Sequence, residues 1–148
     1  MKISSVYHTW RMLSGTLCLG AILMLSVQGC SKKINFQNSA EVPAARGYVK
    51  VSKDNNNNYQ IKLELSNLAE VKRLDPPKES YVVWMESESN SVKNIGRINS
   101  SGSLLSKRLT VSFETVSSVK PTLIYITAEN EPNTSYPTGK KMLTTANF

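Results

Sequence analysis

The chain is predicted to be all-β: a single antiparallel β-sandwich of six or seven strands over residues 46–148, behind a cleaved amino-terminal signal helix. Three observations carry that prediction. From Gly47 onward, apolar and polar residues alternate with period two in one segment after another, the pattern of half-buried strands. Breaks rich in Asn, Ser, Gly and Pro separate those segments about every ten residues, as in sandwich folds. Beyond residue 30 no stretch holds a helical period long enough for an α/β or helical alternative.

Residues 1–29 read as an export signal. Lys2 and Arg11 charge a short leader, and Met12 to Val27 is almost wholly apolar or small. That run is shorter than the roughly 20 residues needed to cross a hydrocarbon core about 30 Å thick, and no basic cluster follows directly at its end. The segment that closes it, Leu25-Ser26-Val27-Gln28-Gly29-Cys30, resembles the lipobox of bacterial lipoproteins. Val27 stands three residues before the cysteine and Gly29 directly before it, while Gln28 is larger than the usual occupant. The resemblance implies cleavage between Gly29 and Cys30, a diacylglyceryl group on the Cys30 thiol and acylation of the new amino terminus. One acyl chain binds a bilayer only marginally, so two or more are what stable anchoring requires. Ser31 is not the aspartate that resembles an inner-membrane retention signal in some bacteria, which favours the outer membrane of the cell envelope. The simpler reading is an ordinary secretory signal with an incidental cysteine.

Cleavage changes the composition. It removes Cys18 and His8, leaving Cys30 as the only cysteine and no histidine. It also removes Lys2 and Arg11, leaving 16 basic against 11 acidic residues, a net charge of +5. Without a disulfide framework, a mature chain of 119 residues depends on packing, and that length is enough for one core.

Residues 30–45 read as a lipidated tether, polar and without period, in which Lys32 and Lys33 are solvated. Val49 and Val51 then mark a first strand, and Asp54 to Asn58 a turn. Tyr59, Ile61, Leu63 and Leu65 face one way while Gln60, Lys62 and Glu64 face the other. Leu68, Val71 and Leu74 allow one or two helical turns before Pro76-Pro77 forbids more. Ser80 to Glu86 is apolar on both faces and so central in its sheet, with Trp84 as a core anchor whose indole N–H needs a partner. Val92 to Asn99 follows, where Gly96 marks a bulge or a close backbone approach. After a Ser100–Ser103 loop come a strand at Leu109, Val111 and Phe113 and another over Leu123 to Ala128. Glu129 to Gly139 is a long turn, and Met142 to Ala146 closes a sheet edge.

Tyr81-Val82-Val83-Trp84, Asn94-Ile95-Gly96-Arg97-Ile98, Ile126-Thr127-Ala128-Glu129-Asn130-Glu131-Pro132 and Pro137-Thr138-Gly139 together resemble the extracytoplasmic carboxy-terminal domain of anti-sigma-K factors. The resemblance covers Gly47 to about Leu143. It departs at Asn130-Glu131, which separates Glu129 from Pro132, and at Asn133 to Tyr136, which replaces a glycine-rich link. It implies a β-sandwich used at the envelope for sensing or protein contact. Those factors also carry a cytoplasmic helical domain and a spanning helix that this sequence is expected to lack, so their regulatory activity does not follow.

Enzymatic readings find little support. Without a mature histidine neither a Ser-His-Asp nor a Cys-His site can be built, and zinc loses its usual ligands. Glu86 and Glu88 are the remaining carboxylate pair of interest, better read as solvated charge than as a glycosidase dyad. Glu129 and Glu131 lack calcium-loop spacing. Lys72-Arg73, Lys107-Arg108 and Lys140-Lys141 are dispersed and lack interleaved aromatics, which argues against nucleic acid. The expectation is a non-enzyme with no cofactor or metal, anchored to the bilayer through Cys30 and contacting an envelope protein. The alternative is a small-ligand or glycan module, and Trp84, Tyr81 and Tyr136 are the candidate contact residues under either reading.

Overall fold

A computed structural model describes residues 31–98 and 109–148. The alternation along the chain becomes eight strands: β1 (Lys32–Asn35), β2 (Arg46–Lys53), β3 (Tyr59–Leu68), β4 (Ser80–Ser87), β5 (Val92–Ile98), β6 (Leu109–Ser117), β7 (Pro121–Glu129) and β8 (Lys141–Thr144). They form two four-stranded antiparallel sheets, ordered β1-β2-β3-β6 and β5-β4-β7-β8. The all-β sandwich expected from the period-two pattern is the observed architecture.

The core forms where the inward residues of the two sheets meet. Ile61, Leu63 and Leu65 of β3 sit opposite Val51, Val49 and Gly47 of β2, while Gln60 and Lys62 face solvent. From the other sheet come Tyr81, Val83 and Met85 of β4 and Ile124, Ile126 and Ala128 of β7, all buried in the same cluster. The β2–β3 turn is built as its composition suggests. Asp54 Oδ1 accepts from the backbone amides of Asn56 and Asn58, both at 2.8 Å, and Asn57 takes a left-handed φ of 63°.

Three expectations need correction or refinement. The tether over residues 30–45 is not free chain, because β1 pairs with β2 from Lys32 opposite Val51 to Asn35 opposite Tyr48. Phe36 then bridges to Thr145 of the second sheet, and Val42 and Ala45 are buried in the core. An edge strand needs one partner and tolerates lysine on its free side, so Lys-Lys-Ile-Asn, with only Ile34 half-buried, carries no period to detect. One residue, Ser31, therefore separates Cys30 from the sheet. The one or two helical turns expected around Leu68 to Leu74 shrink to a 3-10 turn over Val71–Arg73, since Leu68 stays on β3, where it pairs with Leu109. A cis bond joins Asp75 and Pro76 beyond it.

Gly96 meets the expectation of a bulge, while the group that approaches it closely is a side chain and not another backbone. The β4–β5 register shifts between Val83 and Trp84, and Gly96 has a φ of 145°. A Cβ there would come within 2.6 Å of the Phe113 ring on β6, where the edges of the two sheets approach. Gly96→Ala is expected to cost about 2 kcal/mol, from the unfavourable backbone region and the displaced ring together. Chemical denaturation measures it, and Phe113→Leu in the same chain should recover the steric part only.

The antiparallel register gathers the starts of β1, β3, β5 and β7 and the ends of β2, β4 and β6 at one pole. Both sheets and their buried core are built within residues 32–148. Among the described residues no helix is long and apolar enough to cross a membrane.

Candidate functional site

β4 is apolar on both faces because each face is covered by something different. Tyr81, Val83 and Met85 point between the sheets, whereas Val82 and Trp84 point outward, where a sheet ordinarily meets water. Here the segment from Asn130 to Lys140, between β7 and β8, folds back over that outer face. On the β5 side, Asn94 Nδ2 donates to the carbonyls of Pro132 (3.1 Å) and Thr134 (3.0 Å). On the β7 side, Glu129 receives Thr138 and Gly139. Trp84 lies on the strand between these two fastenings, in register with Asn94 and Tyr125.

Trp84 is fully buried there with Val82 and Tyr125, a second small core outside the main one. Its ring stacks on Tyr125 at 6.4 Å between centroids and 18° between planes, and Lys141 Nζ stands 4.2 Å from the centre of the Tyr125 ring. The indole N–H donates to Thr127 Oγ1 at 2.8 Å, and the Thr127 hydroxyl donates in turn to Glu129 Oε1 at 2.6 Å. A carboxylate accepts only, so its charge fixes the direction of the whole chain.

Glu129 is 1 % exposed, yet each of its oxygens is well supplied. Beyond Thr127, Oε1 accepts the backbone amides of Thr138 (3.1 Å) and Gly139 (3.0 Å), and Oε2 accepts the Thr138 hydroxyl (2.5 Å). Burial pushes the carboxyl up, but the hydrogen bonds from the Thr127 and Thr138 hydroxyls and the Gly139 and Thr138 amides together outweigh it and hold its pKa below the ordinary glutamate value. Gly139 is required where it stands, since a Cβ would meet the Ala128 carbonyl oxygen at 2.0 Å. Thr127-Ala128-Glu129 and Pro137-Thr138-Gly139, separate in sequence, are thus one hydrogen-bonded unit.

The candidate contact residues do not form a single site. Tyr81 points into the main core, opposite in direction to Trp84, and its hydroxyl donates to the Ala69 carbonyl at 3.0 Å. Burial pushes its phenol up to about 12. No aromatic cleft combines Tyr81 with Trp84, because they lie on opposite faces of one strand. Tyr136 is 67 % exposed on the folded-back segment, where Thr134 Oγ1 donates to its carbonyl at 2.8 Å. An open groove of about 710 Å³ runs beside that segment, lined by Lys93, Asn94, Arg97, Asn133 and Ser135 among others. Gly29 and Cys30 lie outside the described residues, as do Lys107 and Arg108.

The charged pairs are spent on surface contacts. Glu88 leaves β4 for the following turn and pairs with Lys120 at 2.5 Å, parted from Glu86. Glu131 is exposed while Glu129 is saturated with donors, so the two share no cation position. Among the described residues no group of three or more His, Cys, Asp or Glu is placed to hold a metal ion. Lys72 pairs with Glu79, Lys140 pairs with Glu41 at 2.7 Å, and Lys141 covers Tyr125.

The importance of Glu129 was not drawn from the sequence, where it looked like the first residue of a polar turn. The available signal was its place two residues after Thr127 on the same strand face, as the one charged residue of β7. No family model matches the chain, and neither a curated protein nor a solved structure matches it.

Proposed function

We propose that the chain is a non-enzymatic lipoprotein of the bacterial cell envelope, anchored by acylated Cys30, whose β-sandwich contacts another protein in a sensory or assembly role. The observation that carries the anchor is the sequence Val27-Gln28-Gly29-Cys30 at the end of the apolar leader. Two features support contact with a protein rather than capture of a small ligand or glycan. The aromatic rings a ligand cleft would use, Tyr81 and Trp84, are internal. Tyr136 is displayed on a segment fastened at both ends, so little order is lost when a partner docks against it. The resemblance to anti-sigma-K extracytoplasmic domains points the same way.

Cys30→Ala is expected to abolish fatty-acid labelling and to accumulate uncleaved precursor on a gel. Normal cleavage to a soluble product would overturn the anchor. A photo-crosslinking amino acid at Tyr136 should capture a discrete envelope protein in intact cells. Saturable glycan binding with no crosslinked protein would favour the ligand reading instead.

A further inference from the structure

We infer that the pole of the sandwich beside Ser31 is a contact surface for an anionic phospholipid bilayer. The inference rests on the lipid-anchor reading for its orientation and adds to it the surface that meets the lipid. Since β1 begins at Lys32, only Ser31 separates the acylated position from the sheet, and the two residue steps from Cys30 to Lys32 span about 7 Å of fully extended chain. The polar layer of a bilayer is itself about 5–8 Å deep on each side. The domain therefore cannot hang clear of the headgroups, and the strand register decides which of its surfaces meets them.

That surface carries positive charge. The β1–β2 corner presents Lys32 and Lys53 at the strand tips, with Lys50 further along the outer face of β2 and Lys33, directly opposite it, lying over the Tyr48 ring at 3.7 Å. Asp54, the nearest acidic residue along the chain, is turned onto its own loop, where it accepts from the amides of Asn56 and Asn58 and from Asn58 Nδ2. Lys120, whose partner is Glu88, joins Lys32 and Lys53 around a depression of about 250 Å³ lined also by Val51, Tyr59 and Phe148.

The same pole also carries the exposed aliphatic surface. Four large hydrophobic side chains are exposed among the described residues, and three of them lie at this pole: Val116 at 56 % near the end of β6, Val119 at 47 % in the β6–β7 turn, and Val92 at 40 %, opening β5. The fourth, Tyr136, stands on the flank of the second sheet, between Thr134 held at Asn94 and Thr138 held at Glu129. Lysines that attract phosphates around valines that enter the interface are the two components of peripheral bilayer binding. A water-exposed pole has no need of three exposed valines, and a protein partner would have to fit beneath a domain held within about 7 Å of its acyl chains.

Two measurements test the inference. In the acylated chain reconstituted into vesicles of phosphatidylglycerol and phosphatidylcholine, a fluorophore on V119C should be strongly quenched by headgroup spin-labelled lipid and one on Y136C only weakly. Equal quenching at the two positions overturns the inference while leaving acylation of Cys30, read by fatty-acid labelling, untouched. Separately, unacylated residues 31–148 should bind phosphatidylglycerol vesicles at least about tenfold better than phosphatidylcholine vesicles, in a salt-sensitive way. K32Q/K33Q/K50Q/K53Q should abolish that preference without moving the thermal midpoint. No preference in the parent protein, or one that the four substitutions leave intact, also overturns it. If Cys30 proves unacylated while the preference persists, the anchor reading fails and the lipid surface stands.

Discussion

Glu129→Ala is expected to destabilise the domain by about 4 kcal/mol, since it strands several buried donors at once. The hydroxyls of Thr127 and Thr138 and the amides of Thr138 and Gly139 all converge on this carboxylate. Each donor left unpaired in the interior costs about 1–3 kcal/mol, and water entering the vacated space offsets only part of it. Glu129→Gln should be far milder, at about 1 kcal/mol. Its amide oxygen can take the place of Oε1 and keep three donors, and the Thr138 hydroxyl can turn to accept from the new amide nitrogen. Urea denaturation measures both, and an alanine variant no weaker than the glutamine variant would show that the carboxylate carries no such role.

The same residue gives the fold a sensitivity to acid. The folded pKa of Glu129 lies below its unfolded value, so the folded state prefers the ionised form. Its contribution to stability is complete above the unfolded glutamate pKa of about 4.3 and is lost as pH falls through the folded value. Partial burial pushes Asp54 up, but the hydrogen bonds from the Asn58 amide and side chain and from the Asn56 amide outweigh it and shift the carboxyl in the same direction as Glu129, within a local turn. Thermal midpoints should therefore drop below about pH 4.3 in the parent protein and drop less steeply in Glu129→Gln, which keeps only the Asp54 share. Parallel curves for the two proteins would remove Glu129 as the cause.

How far the sequence can be read depends on which forces leave a period in it. Gln60, Lys62 and Glu64 alternate with Ile61, Leu63 and Leu65 because one side of β3 meets water and the other meets a core, so that strand was plain. β4 was legible as central, between β5 and β7, but not for its full reason. Its outer face is covered by the chain's own residues 130–140, through contacts such as Asn94 to Pro132 that span 38 positions and leave no local pattern. Glu129 was hidden for the same cause, its partners lying nine and ten residues away across a turn. β1 was missed because an edge strand of four residues with two lysines looks like solvated chain until its partner is known. That omission matters most for the proposed lipid anchor, under which a tether would free the domain from the bilayer and a strand would not.

Trp84→Ala is expected to cost about 4 kcal/mol, in the range for deleting a fully buried tryptophan. Unlike a comparable deletion in the main core, its structural effect should be local first. Trp84 lies beneath the folded-back segment and supports it in two ways, through the stack on Tyr125 and through the N–H that orients Thr127 toward Glu129. Without the ring, residues 130–140 lose their floor, while Ile61, Leu63, Val83 and Ile126 keep their contacts between the sheets. Limited proteolysis should then cut within 130–140 before the sandwich unfolds, and crosslinking from Tyr136 should fall in step. Trp84→Phe keeps a ring against Tyr125 and removes the donor and part of the indole volume, at about 2 kcal/mol, so it should preserve protease resistance and the Tyr136 crosslink. Because the indole and the carboxylate act on one hydroxyl, Trp84→Phe and Glu129→Gln should be non-additive in a double-mutant cycle by about 0.5 kcal/mol or more. Strict additivity, or proteolysis of Trp84→Ala that begins only with global unfolding, would mean that the tryptophan stabilises the sandwich without holding the segment that displays Tyr136.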